Sequence, residues 1–394
     1  MNFIQIKKSD SYSFIRKNIK EKIQGKDIGK VILASEEADI DISEIYSEVV
    51  HGIKKYVAQI AINNNLGKFS ASSNKTNLYS YVYLAMIYGL LDIQYSEEVK
   101  ETIIQNILNA QYKDGLFYDK NILNYEYLIG DGWGARHLIP HIVIAMKRLN
   151  IKPIYEFNFL SALSVYDVMY SLMDTLDWKN VWKTSNFVMN IGVCMQYERD
   201  YIGIKERQNG IKAIQDWLIN HIREDCGMWY KGKIDSISVK YEVVRGAYHL
   251  FPILFYDNID IPYMKKTVDI ILSLQNKYGG FDWRKNSSAC EDIDAIEPLI
   301  RLSIKLPGYR EKEIKKALSN AMFWIKQNQV ADGGFVFRKG ERFNYGNKNM
   351  VSNINESNLF ATWFRTLSVC YIRDYLLRMQ HNYVRVPGYE YPLW

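Results

Sequence analysis

The sequence predicts an all-α fold, an (α/α)6 toroid in which a ring of enclosed helices sits inside a second ring. Two observations predict it. A glycine followed two residues later by a large aromatic recurs at Gly67/Phe69, Gly115/Phe117, Gly227/Trp229, Gly279/Phe281 and Gly333/Phe335. Each interval between these pairs also divides into an amphipathic segment before the motif and a more apolar one after it, so helices with one wet face alternate with helices that have none.

The glycines stand 48, 112, 52 and 54 residues apart; the long gap spans two periods and holds a degenerate copy at Leu176-Asp177-Trp178, which makes six repeats of about fifty residues. Periods of that size mean stacked units that cannot bury their apolar faces alone. Met264 to Leu274 and Glu311 to Lys326 are amphipathic, whereas Ala295 to Ile304 and Leu359 to Ile372 are apolar. At each crossing from outer to inner helix the glycine supplies backbone freedom, and the aromatic plugs between neighbouring helix pairs. An open solenoid with the same repeat is the architectural rival, and six copies in one chain favour closure. The toroid spans residues 46–380. A charged helical or strap segment at 1–45, with Lys7, Lys8, Arg16 and Lys17, precedes it. An extended tail at 381–394, carrying Pro387, Gly388 and Pro392, follows and is laid across one face by its aromatics.

At 394 residues and 48% hydrophobic, the chain can bury a large core as one domain. Fifty basic against forty-four acidic residues leave a net +6 spread along the chain, which argues against a nucleic-acid partner. There is neither a basic stretch leading into an apolar run nor an unbroken span of eighteen apolar residues, so the expectation is a cytoplasmic protein without a membrane span, with peripheral membrane contact left open. Four scattered cysteines, three of them on or near apolar segments, suggest buried thiols rather than disulfides.

In a closed ring the polar residues at the starts of apolar inner helices converge on a central cavity. Six starts are readable: Lys75-Thr76-Asn77, Trp133 to His137, Lys183 to Asn186, Lys240 to Arg245, Glu291 to Asp294, and Asn355 to Asn358. Capping accounts for Thr76, Ser185 and Ser357. It accounts less well for Glu291, Asp292, Asp294 and Glu297, four carboxyls within seven residues, whose repulsion raises at least one pKa and makes a proton donor. Asp294, Asp292, Glu291 and His137 are the catalytic candidates. Trp133, Arg136, Asn186, Glu242, Arg245, Tyr248, Glu356, Asn358, Trp363 and Arg365 are the candidates for substrate binding. Among them, Arg136, Arg245 and Arg365, with Lys240, suit a diphosphate or carboxylate, against ion pairing to the rim acids as the plainer role. His137 and His141 share a helix face, but no His-Glu-x-x-His or paired-Cys motif accompanies them, so no metal site is expected. No cofactor is expected either; Mg²⁺ enters only if the substrate carries a diphosphate. Thirty Tyr and nine Trp provide π faces that serve a carbocation or a sugar ring equally.

The motif Gln-x3-Gly-x-Phe, at Gln111 to Phe117, Gln275 to Phe281 and Gln329 to Phe335, resembles the repeat named for Gln and Trp in the squalene-hopene and oxidosqualene cyclase superfamily, whose toroid the beta subunits of protein prenyltransferases share. The resemblance implies the toroid and, through the Asp-x-Asp-Asp motif of class II terpene cyclases, matches Asp292-Ile293-Asp294-Ala295, with Asp294 as the donor that protonates an alkene or epoxide. Ala295 departs from that pattern, so Glu291 or Glu297 would have to replace the missing acid. The chain is also too short for the paired toroids of typical class II cyclases. It lacks the Asp, Cys and His set that holds zinc in prenyltransferases.

Three readings follow. One is a class II terpene cyclase-like enzyme that acts on an isoprenoid through Asp294, supported by Asp292 and His137. Another is a carbohydrate-active toroid that uses Asp294 and Glu356 as paired carboxylates on a glycan. The third is a non-catalytic toroid that binds a ligand or partner.

Overall fold

The computed structural model describes residues 40–62, 65–122 and 134–394. The described chain is all-α apart from one small hairpin. Its helices in order are α1 (Ile42–Ile62), α2 (Leu78–Leu90), α3 (Glu97–Asn109), α4 (Ile139–Leu149), α5 (Tyr166–Thr175), α6 (Val181–Tyr197), α7 (Arg207–His221), α8 (Ile237–Tyr256), α9 (Met264–Ser273), α10 (Ala289–Lys305), α11 (Glu311–Lys326) and α12 (Leu359–Leu377). Most of the 1–45 segment lies outside the described residues. No helix among the described residues is long and apolar enough to cross a membrane.

Even-numbered helices are enclosed and odd-numbered ones flank them. Nearly every residue of α2, α10 and α12 is buried, whereas α3 and α9 bury a single stripe. The enclosed helices pack in the order α2, α4, α6, α8, α10, α12, and α12 in turn packs on α2; α11 packs on α1.

Helix starts follow from local chemistry. Asn77, Ser236, Ser288 and Asn358 cap α2, α8, α10 and α12, each accepting a backbone N–H three residues on. The expected caps at Thr76 and Ser357 therefore stand one residue too early. Ser185 is no cap at all: it lies inside α6, with its hydroxyl on the Trp182 carbonyl at 3.1 Å and on His249 Nδ1 at 3.1 Å.

The repeat motif joins one flanking helix to the next. Gln275 Nε2 donates to the Gly279 carbonyl (2.9 Å) and to the Ala317 carbonyl of α11 (2.7 Å). Gln329 Nε2 does the same with Gly333 (2.8 Å) and, 280 residues back along the chain, with Val49 of α1 (2.9 Å). Gly279 and Gly333 have φ of +101° and +92°, where an L side chain is strained. A Cβ at either would also strike backbone of the next flanking helix, at Asn320 or Gly52. The glycine thus answers to close approach as much as to turn geometry. In the degenerate copy Trp178 stacks on Trp217 at 4.4 Å in place of that contact.

Gln329→Ala removes two hydrogen bonds and is expected to destabilise by about 1–2 kcal/mol. Urea unfolding beside an exposed control, Gln105→Ala, checks this; equal costs for the two would mean that the Val49 contact contributes nothing.

The two ends of the enclosed bundle differ. Over the starts of the enclosed helices lies a hairpin, β1 (Phe343–Asn344) against β2 (Val351–Ser352), antiparallel with Phe343 opposite Ser352. Its Tyr345 hydroxyl meets that of Tyr83 at 3.2 Å. At the other end the tail does not simply lie across a face: Val386, Tyr389 and Glu390 are buried. Glu390 forms a buried ion pair with Arg148 of α4. Arg301 of α10 donates to the carbonyls of Tyr391 (2.7 Å) and Pro392 (3.2 Å).

Candidate functional site

The acids of α10 divide by what they touch. Ser288 and Glu291 form a capping box. Glu291 also accepts from Arg284 Nη2 at 2.6 Å, from Arg338 and from the Tyr241 hydroxyl. Burial works against its charge, yet Arg338 and Arg284 hold its pKa at about 2. It is a committed carboxylate.

Asp292 is engaged on both oxygens, although burial pushes its pKa up against the pull of Arg365. One oxygen accepts from Phe281 N–H (2.9 Å) and Ser287 Oγ (2.7 Å), the other from Trp324 Nε1 (3.0 Å) and Arg365 Nη1 (2.6 Å). It stands four residues beyond its cap, as Thr362 does beyond Asn358, and Thr362 Oγ1 likewise accepts the motif N–H of Phe335 at 3.0 Å. Asp292 therefore fastens the repeat turn to its helix.

Asp294 differs. It is 3% exposed, and among the described residues its one close charged partner is Arg245, at 3.8 Å, with no hydrogen bond. Burial pushes its pKa well above the carboxylate range; Arg245 opposes this, while Glu291, Asp292 and Glu242 add to it. That environment favours the protonated form over the carboxylate. Pro298, four residues on, lacks the N–H that would close onto the Asp294 carbonyl, and Pro252 stands in the same relation to Tyr248.

Asp294 lies six residues beyond its cap. The same place on other enclosed helices holds Tyr83, Asn186, Glu242 and Phe364. Tyr83 and Phe364 lie among the axial rings, at 5.3 and 6.2 Å from His141. The axis thus has an aromatic side on α2, α4 and α12 and a polar side on α6, α8 and α10. On the polar side Arg245 bridges Glu242 (3.4 Å) and Asp294, its guanidinium over Trp182 (5.0 Å) and Tyr241 (5.2 Å). Arg136 lies over Phe187 at 5.5 Å.

Three histidines line the interior. His137 Nδ1 meets the Tyr79 hydroxyl at 2.8 Å. Burial drives His249 down to about 3, with Arg245 and His137 adding to the effect. Burial drives His141 well down too, with help from His137 and His249, and its Nδ1 has no hydrogen-bond partner among the described residues.

Of the residues expected from sequence, the structure gathers Asp294, Arg245, Glu242 and Tyr248 on the polar side, with Arg136 and His137 on the short turn that leads into α4. It ties others into the frame. Arg365 is fully buried on Asp292, and Asn358 is a cap. Asn186 donates to the Trp182 carbonyl at 2.9 Å. Trp363 is buried in the core. Glu356 holds a loop by accepting from Ser72 N–H (2.6 Å), Ser72 Oγ (2.6 Å) and Asn353 N–H (2.6 Å). Trp133 lies outside the described residues.

Sequence reasoning passed over Trp182, Tyr345 and Tyr389. Trp182 follows the start of an enclosed helix and was open to detection; Tyr345 and Tyr389 come from segments without helical periodicity. No group of three or more His, Cys, Asp or Glu side chains is placed to hold a metal ion among the described residues. A scan of the chain against models of known protein families finds no match.

Proposed function

We propose that the chain is an (α/α)6 toroid and a class II terpene cyclase-like enzyme, in which Asp294 protonates an isoprenoid at the centre of the ring. The cyclic packing of the enclosed helices and the Gln329 bond to Val49 support the toroid. One observation carries the chemistry: of the neighbouring buried carboxyls Glu291, Asp292 and Asp294, only Asp294 has no hydrogen-bond donor among the described residues, and burial pushes its pKa well above the usual carboxylate value.

The step is balanced within the substrate. The Asp294 O–H bond breaks and its proton forms a C–H bond at one alkene carbon, leaving a carbocation at the other. A second alkene attacks it and closes a ring. Water takes a proton from the adjoining carbon, which restores an alkene, and solvent returns a proton to the Asp294 carboxylate, so the net reaction is isomerisation. Glu291 and Asp292 assist only through their field, which keeps the proton on Asp294; Glu291 thereby stands in for the acid that Ala295 lacks. The faces of Tyr248, Tyr83 and Phe364 stabilise the cation. Arg136 and Arg245 suit an anionic head group near the mouth, with Mg²⁺ needed only for a diphosphate. No other cofactor is invoked.

The glycan reading is weaker, because Glu356, the proposed partner of Asp294, is engaged in holding the loop at Ser72 and Asn353.

Incubation with linear isoprenoids of increasing length in deuterated water tests the proposal. The expected product is cyclic, isomeric with its substrate, and carries one deuterium at the protonated carbon. A cyclic product without deuterium would point to ionisation of a leaving group instead; no product across the series would remove the cyclase reading.

A further inference from the structure

The tail sends one aromatic ring in among the buried rings of the enclosed helices. Tyr389 is 3% exposed and stacks on His141 at 4.6 Å with the planes 13° apart. It stacks on Tyr248 at 6.0 Å with the planes 29° apart and meets Phe364 edge-on at 5.7 Å. Burial raises its pKa, and Cys290, Asp294 and Glu297 raise it further, which places the phenol within electrostatic reach of all three. Cys290, one turn before Asp294, is partly exposed, whereas Asp294 and Tyr389 are nearly closed off.

The ring is held from both sides. Tyr371 donates its hydroxyl to the carbonyls of Tyr389 (3.2 Å) and Tyr391 (3.1 Å). Gly388 turns the chain with φ of +115°. Glu390, immediately beyond, is pinned by Arg148, and Arg301 takes the next two carbonyls. Withdrawing Tyr389 would break a buried ion pair, so the ring is a fixed surface. A tail that only covered apolar helix ends would not need such anchoring of one side chain along the axis.

We infer that Tyr389 is the floor of the binding site and sets the longest apolar chain it admits. A ligand chain entering past Arg136 and Arg245 runs beside Asp294 and stops on the phenol ring. The ligand class rests on the reading above, a linear isoprenoid, but a floor acts on any linear apolar chain.

The test measures binding of linear primary alcohols of increasing length to the full-length chain and to Tyr389→Phe, Tyr389→Ala, Tyr389→Leu and Tyr389→Trp. Affinity is expected to rise about fourfold per methylene up to a cut-off length. In Tyr389→Ala the cut-off moves to longer chains, so that an alcohol two carbons beyond the wild-type limit binds about fifteenfold tighter than to wild type. Tyr389→Leu shifts it the same way by less, Tyr389→Trp shortens it, and Tyr389→Phe leaves it in place. If Tyr389→Ala does not fold, the opposite shifts in Leu and Trp carry the test. An unmoved cut-off in the folded variants, a uniform loss at every length, or no length dependence in wild type overturns the floor. Turnover of isoprenoids in deuterated water, run alongside, separates the two ideas: a moved cut-off without conversion leaves the floor and removes the cyclase, and conversion with an unmoved cut-off does the reverse.

Discussion

Asp294→Asn is expected to lower turnover by about a hundredfold to ten-thousandfold, the range for removing a general acid, while leaving the fold intact. The amide is nearly isosteric with the neutral acid and is already desolvated to the same degree. Stability should move the other way from activity. Because the folded-state pKa of Asp294 is raised, the unfolded chain releases this proton first as pH rises, and wild type loses stability from the ordinary carboxylate range up to the raised value. The asparagine variant is therefore expected to be more stable than wild type at neutral pH, with the difference vanishing near pH 4. Activity of wild type should fall as pH rises through the same raised value. Arg245, Glu242, Glu291, Asp292, Cys290 and the phenols of Tyr248 and Tyr389 share that field, and of these Arg245 is the one that opposes the shift. Product analysis and thermal unfolding across pH check both halves; full turnover by Asp294→Asn would remove the proton-donor assignment.

Asp292→Ala is expected to do the opposite, costing stability rather than chemistry. Arg365 and Asp292 are both essentially inaccessible, and removing one member of such a pair leaves an unpaired buried charge, typically about 3–5 kcal/mol. Phe281 N–H and Trp324 Nε1 lose their acceptor at the same time. For a chain of this length unfolding in one transition, that corresponds to a fall in Tm of about 4–6 °C. Turnover per folded molecule should change by less than about tenfold, since burial, the largest cause of the raised Asp294 pKa, persists without the smaller contribution of Asp292. Calorimetry with activity measured on the folded fraction decides; lost activity at unchanged Tm would make Asp292 part of the chemistry.

These two acids show how far the sequence could be read. An acid run at the start of an apolar helix is visible as a string, and so is the six-residue offset from the cap that puts Asp294 level with Tyr83 and Phe364. What each acid is bound to is not visible. The partners of Asp292 and Glu291 include Trp324, Arg338 and Arg365, from other repeats, and no periodicity marks an arginine as one that will cross a helix interface. Helix positions were legible because the apolar period is long and regular, as at α11, which spans Glu311–Lys326 as expected. α10 begins six residues before the expected Ala295, because Ser288 and Glu291 cap it through a capping box that periodicity does not register. The tail was expected to lie across a face; its burial depends on Glu390 meeting Arg148, a pairing set wholly by tertiary structure.

The bond from Gln329 to Val49 has a consequence for how the chain comes to be folded. In an open array each repeat needs only its neighbour, so folding can start anywhere and shortened arrays still fold. Here the first flanking helix and the first enclosed helix both wait for partners from the far end of the chain, α11 and α12. Such long-range contacts raise contact order and slow folding, and closing the intervening loop costs entropy before any contact repays it. On the ribosome α1 and α2 emerge early, and the faces that α11 and α12 cover wait for those partners until residue 377 is out. Deleting the last repeat should thus yield an aggregating chain rather than a smaller ring.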